Sequence, residues 1–203
     1  MIINKVINEL FSAPSSISVL RELAKRNVGV SGREIARFAN VTPQSAHNAL
    51  SKLEALKIVK REFVGKSHYF ILNRKHFLYN QIIKPIFETE IEFTKTLFNK
   101  IKKELSKTTE SILLFGSTAR NEETAQSDLD ICIVYNSDKK RIEEIVSRLR
   151  DYLYDEYGVT FAPFYITSRE FKKRAKHNMS PINSIVLEGK LISGKSIKGT
   201  ING

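Results

Sequence analysis

The chain is poor in the residues that build covalent frameworks. It has one cysteine, Cys132, in 203 residues, and that thiol stands inside the apolar run Ile131–Tyr135. A lone cysteine excludes an internal disulfide framework and fits a reducing compartment. Long apolar runs are also missing, and none approaches the roughly 18 residues that a membrane-spanning helix needs. Met1–Leu10 interrupts its apolar residues with Asn, Lys and Glu, so no signal-peptide core is expected. His177 has no cysteine or histidine neighbour at ligand spacing, which argues against a metal site there. No internal repeat or low-complexity tract is present. A content of 41% apolar and 27% charged residues is that of a globular protein. These features predict a cytoplasmic protein without a membrane partner, long enough for one large domain or two small ones.

Positive charge is abundant, and it is unevenly placed. The formal net charge is +11. Residues 1–75 hold 13 Lys/Arg against 5 Asp/Glu, whereas residues 108–203 hold 14 against 13. A polyanionic partner is therefore expected for the first third and not specially for the last.

Helical spacing of Ile17, Leu20, Leu23 and Ala24 predicts a first helix over Ser16–Arg26. Ser31-Gly-Arg-Glu34 has the capping-box arrangement. The helix it opens is expected to turn Ile35, Ala36, Phe38 and Ala39 inward and to stop near Asn40. Thr42-Pro43 then supplies a cap followed by proline at the first helical position. Ala46, Ala49, Leu50, Leu53 and Leu56 make the buried stripe of that third helix. Lys57–Phe63 and His68–Leu72 are β-rich runs around a Gly65 turn and predict a hairpin.

The polar residues left on the third helix are Gln44, Ser45, His47, Asn48, Ser51 and Lys52. Gln and Asn can make paired hydrogen bonds to adenine, and Ser and His adapt to several base edges. Lys60, Arg61 and Lys66 on the hairpin, with Arg33 and Arg37 on the preceding helix, suit phosphate contacts. The stretch SGREIARFANVTPQSAHNALSKLEALKIVKREFVGKSHYFILN resembles winged helix-turn-helix regulators of bacteria and archaea, over roughly residues 15–73. That resemblance implies double-stranded DNA as partner and residues 1–75 as a DNA-binding domain.

Residues 76–107 are expected to form a helical linker, bent at Pro85. Phe87, Ile91, Thr94, Phe98, Ile101 and Leu105 repeat at steps of four and three. The stripe suits either a homodimer seam or packing on the chain's own second domain.

From Glu110 the pattern becomes strand, turn, strand, helix, strand, with strands expected at Ser111–Phe115, Asp128–Tyr135 and Val159–Ile166. A helix is expected over Lys139–Tyr157, another from Ser168 to Lys176, and a last short strand at Gly189–Ser193. Asp128 and Asp130, two apart on a strand, project to one side. Paired carboxylates repel unless a cation sits between them, which is what holding Mg²⁺ on phosphates requires. Gly116 allows a tight turn beside a ligand, Ser117 can meet phosphate oxygens, and Arg120 is a fixed cation within reach.

GSTARNEETAQSDLDICIV resembles the minimal branch of the polymerase-beta-like nucleotidyltransferase superfamily, over about residues 108–195. The resemblance implies an α+β chain of two domains, the second a mixed α/β nucleotidyltransferase fold. It implies a nucleoside triphosphate, ATP foremost, as substrate or ligand, and two Mg²⁺ ions. Asp128 and Asp130 become the catalytic metal ligands, with Gly116, Ser117 and Arg120 binding the nucleotide. Some members modify a partner toxin, so a protein acceptor is implied as well. The family's third carboxylate, usual on the next strand, is missing from Val159–Ile166, which contains no Asp or Glu. Two functions follow: a DNA-binding nucleotidyltransferase, or a regulator whose second domain only senses nucleotide.

Overall fold

The computed structural model describes residues 4–65 and 67–202. The chain divides into two compact units, Met1–Glu92 and Phe93–Gly203, and its elements are mixed α and β.

In the first unit α1 (Val6–Leu10) and α2 (Pro14–Ala24) lead to the short strand β1 (Val30–Ser31). Helices α3 (Gly32–Phe38) and α4 (Pro43–Ala55) follow, then β2 (Val59–Val64) and β3 (Ser67–Leu72). Helix α2 starts earlier than its periodicity suggested, because Pro14 occupies the first turn where its missing N–H costs nothing. The capping box forms: Ser31 Oγ accepts from the Glu34 amide while the Glu34 carboxylate accepts from the Ser31 amide. Thr42 caps α4 by accepting from the Ser45 amide. Val19, Leu20, Leu23, Ile35, Leu50, Leu53 and Ile58 are buried as one core. Phe38 departs from the expected inward position and is 40% exposed. The Arg26 guanidinium lies 4.0 Å from its ring and that of Arg37 5.1 Å, and two cations on one ring satisfy it at the surface. The antiparallel sheet runs β1-β3-β2, with Val59 opposite Leu72, Arg61 opposite Phe70 and Phe63 opposite His68.

A π-helical turn at Tyr79–Ile83 precedes the long helix α5 (Lys84–Leu105). Pro85 has no N–H to return to the preceding turn, and the widened turn stands immediately before it. The segment expected as a helical linker is helical and supplies residues to two cores. Tyr79, Ile83 and Phe87 join the first core, while Leu97, Ile101 and Leu105 join a second. The expected single stripe breaks accordingly: Ile91 is 68% exposed, and Leu97 is the buried residue in place of Thr94.

The second unit continues with β4 (Ser111–Leu114), α6 (Gly116–Arg120), β5 (Leu129–Tyr135) and α7 (Lys139–Tyr157). It ends with β6 (Phe161–Thr167), α8 (Ser168–Lys176), α9 (Ile182–Glu188), β7 (Lys190–Gly194) and α10 (Ile197–Asn202). Its sheet has the order β6-β5-β4-β7. Strands β5 and β6 are parallel, joined by the crossover helix α7, and both other pairings are antiparallel. Strand alternation sends Ile112, Leu114, Ile131 and Ile133 to a core shared with α5 and α7. Leu113, Cys132 and Val134 face the other way, onto Phe171 of α8 and Ile182 and Ile185 of α9. Desolvation pushes the buried Cys132 thiol up to about 12, so it is an inert core residue. At the far end of β4, Glu110 accepts from Ser168 Oγ and, at 2.5 Å, from Lys195 Nζ. The Lys195 ammonium holds the Glu110 carboxyl below the usual range. Among the described residues no helix is long and apolar enough to cross a membrane.

Candidate active site

The turn that leaves β4 carries the first candidate residues. Phe115 N donates to the carbonyl of Asp130 at 3.1 Å, so the chain leaves the sheet directly beside Asp130. Gly116 has φ +72, a left-handed conformation that side chains resist. A methyl group at position 116 would stand 2.1 Å from Asp130 Oδ2. Glycine is thus required twice, by backbone and by space. Ser117 and Thr118 follow in the first turn of α6, which ends at Asn121, itself left-handed at φ 57.

Residues 121–128 return the chain to the sheet. Thr124 N donates to Ser127 Oγ at 2.9 Å and Ser127 N to the Thr124 carbonyl at 3.0 Å, a tight turn that delivers Asp128. Asp128 is exposed and stands one residue ahead of β5, which begins at Leu129. Asp130 is half-buried within the strand. Burial raises its carboxyl above the ordinary range, the Asp128 charge adds to this, and Arg120 opposes both. A carboxyl raised by desolvation and a like charge is one that a cation would relieve.

Mg²⁺ favours octahedral oxygen ligation from one or two carboxylates, with phosphates and water supplying the rest. Asp128 and Asp130 fit that role. Among the described residues no group of three or more His, Cys, Asp or Glu could form a cage by itself.

The parallel register sets Ala162 beside Asp130 and Phe161 beside Leu129. Residue 162 therefore occupies the place from which a third carboxylate would face Asp130, and β6 contains none. Thr160 precedes the strand, and its carbonyl accepts from the Leu129 amide at 2.8 Å. Arg120 is engaged already, its Nε 2.7 Å from Glu122 and its Nη1 3.0 Å from Glu188 at the end of α9. Asp128 also lines a cleft of about 450 Å³ with Phe98, Thr118, Asn121, Val159 and Lys190. Sequence reading missed Glu188 and Lys190. Neither had a local signal, because β7 reaches β4 across some eighty residues.

The residues expected to contact DNA separate into two groups. Arg33, Arg37, Gln44, His47, Asn48 and Lys60 are exposed, and Ser45 is half-exposed beside its cap. Gln44 Nε2 donates to Asn48 Oδ1 at 2.9 Å, so the two amides form one polar ledge on α4. Lys52 and Arg61 are committed elsewhere. Lys52 Nζ lies 2.8 Å from Glu9, and Arg61 pairs with Glu54 at 2.5 Å while its guanidinium covers Phe70. Lys66 lies outside the described residues.

Among solved structures, a toxin–antitoxin crystal structure with AMP-PNP is 21% identical, with 51% of this chain and 80% of that one covered and a TM-score of 0.36. The archaeal chromatin protein TrmBL2 is 16% identical over 91% of this chain and 73% of that one, with a TM-score of 0.31. Lactococcus lactis ZitR is 14% identical over 75% of this chain and 87% of that one, with a TM-score of 0.33. A comparison with curated proteins gave no match. Residues 95–186, which take in Gly116, Ser117, Arg120, Asp128 and Asp130, match the family described as the nucleotidyltransferase domain.

Proposed function

We propose that the second unit binds a nucleoside triphosphate, ATP foremost, and transfers its nucleoside monophosphate to an acceptor hydroxyl, which loses its proton as the α–β phosphoanhydride bond breaks and pyrophosphate leaves, with a protein such as a toxin as the acceptor. The observation that carries this reading is the Asp130 carboxylate packed on the Gly116 turn, with Asp128 exposed two residues before it. Asp128 and Asp130 would hold Mg²⁺, which, when bound, neutralises phosphate charge. The glycine turn lets the Asp130 carboxylate lie against the backbone, and the Ser117 hydroxyl is the adjacent donor for phosphate oxygens. Arg120 can add a charge-assisted hydrogen bond by exchanging Glu122 or Glu188 for phosphate. Transfer of this kind depends on positioning and charge stabilisation more than on covalent help. The first unit, read as a winged helix-turn-helix, would place α4 in the major groove of duplex DNA.

Ala162 beside Asp130 favours a second reading, a DNA-binding regulator that holds nucleotide without turning it over. One experiment separates them. The protein is incubated with α-labelled nucleoside triphosphates and Mg²⁺ in cell extract, and label is followed into macromolecules. Covalent labelling of a macromolecule supports transfer. Unreacted nucleotide retained on the protein, with no product, supports the sensor. Neither label nor retention would sink both.

A further inference from the structure

The hairpin of the first unit ends in an aromatic pair with no core to cover. Cross-strand partners share a face of a two-stranded ribbon. On one face of this hairpin the partners run Val59 with Leu72, Arg61 with Phe70 and Phe63 with His68. Val59, Leu72 and Phe70 are buried, but Phe63 is 70% exposed. The Phe63 and His68 rings meet edge to face with centroids 4.8 Å apart. The apolar face of the ribbon therefore runs past the core and out into solvent near the Gly65 turn. His68, Arg61 and Phe70 also form one wall of a cleft of about 700 Å³, whose other walls carry Arg33 of α3 and His47 of α4. The cleft's own acid, Glu34, is spent on the Ser31 cap.

We infer that Phe63, braced by His68, is a wedge that stacks on or between the bases of duplex DNA when the hairpin lies in a minor groove. This rests on the reading of the first unit as DNA-binding. The occupant follows from charge and chemistry together. Residues 1–75 carry 13 Lys/Arg against 5 Asp/Glu, and Lys60 stands exposed on the same hairpin. A polyanion brought there by charge meets a ring that only an apolar surface or a base face would cover. Apolar side chains inserted at base steps unstack them partly and bend the duplex. Phe63 supplies the ring and His68 limits its freedom, so less order is lost on insertion.

The chain contains no tryptophan, so Phe63→Trp places a single reporter at the tip. The probe is random-sequence duplex DNA with the full-length protein, binding being followed independently by anisotropy of a labelled duplex. At saturation the emission of Phe63→Trp should fall and become shielded from acrylamide. Phe63→Ala should weaken binding about tenfold, the scale of losing one base–aromatic stack. The salt dependence should keep its slope, because no cation is lost. Bound duplex with unchanged emission, or Phe63→Ala binding as wild type does, overturns the wedge while leaving DNA binding intact. A wild-type protein that binds no duplex overturns the DNA reading and the wedge with it.

Discussion

The Asp130 carboxylate fills the space that a side chain at position 116 would need: a methyl group there would lie 2.1 Å from Asp130 Oδ2. Backbone and site are thus joined at one point, since φ +72 at Gly116 aims the turn and the missing Cβ admits the carboxylate. Gly116→Ala should cost about 1–2 kcal/mol in backbone strain and push Asp130 aside. Chemical denaturation should register the strain. Titration with ATP and Mg²⁺ should show nucleotide affinity falling at least about tenfold, roughly 1.4 kcal/mol. Wild-type affinity in the variant would mean that Asp130 takes no part in binding.

Asp128→Asn and Asp130→Asn should each lower Mg²⁺-supported ATP affinity by about tenfold, with little change when Mg²⁺ is absent. The pH dependence has a definite sign. The Asp130 carboxyl is raised in the folded protein, chiefly by burial and then by Asp128. Its ionised form therefore opposes folding at neutral pH, and that opposition fades as pH falls through the raised value. Asp130→Asn should melt at or above the wild-type temperature at pH 7, and the difference should shrink in acid. A variant that melts well below wild type at pH 7 would make the carboxylate structural.

Ala162→Asp should raise transfer above wild type at least tenfold, because general-base assistance is worth about 10²–10⁴ in rate. The register puts this residue beside Asp130, whereas Thr160→Asp would stand two residues earlier, outside the strand. The measurement is initial rate of label transfer from ATP with both variants. No gain in either, with nucleotide binding retained, would favour the sensor.

Duplex binding by the full-length protein should weaken with salt at a slope of about −4 to −5 in log K against log salt, for about five phosphate contacts. Lys60→Ala should weaken all sequences alike. Gln44→Ala or Asn48→Ala, each of which breaks the amide pair on α4, should relax preference at particular base pairs. Lys52→Ala should do less, since that ammonium is already held by Glu9. Competition between sequences at fixed ionic strength checks all four, and binding indifferent to salt would sink the phosphate-contact model.

Local chemistry was what the sequence made legible. The Ser31–Glu34 cap and the Thr42-Pro43 start of α4 each need only neighbouring residues, and each stands where its residue types require. Periodicity failed where two partners compete for one helix. The stripe on α5 reads as continuous, yet Phe87 and Ile101 belong to different cores, and nothing in a helical repeat records such a change of partner. Phe38 looked apolar and turned out to be a platform for Arg26 and Arg37. In the candidate site, Asp128 and Asp130 announce themselves by spacing. The engagement of Arg120 with Glu188 depends on a helix end nearly seventy residues away, for which there was no local cue.

The pairing of β4 with β7 bears on how this unit comes into being. Ser111 aligns with Gly194, so the strand that leads into the Gly116 turn waits for the far end of the chain before its outer edge is covered. Until then four buried residues, Ser111–Leu114, present unpaired amides and carbonyls along an apolar edge, the kind of template that recruits stray strands. The hairpin of the first unit needs only neighbours, Val64 beside Ser67. Contacts so local form sooner than those spanning most of a unit. During synthesis the first unit would mature early, while the Gly116 turn would be among the last places to set, and shortening the chain before Lys190 would leave an aggregation-prone edge beside it.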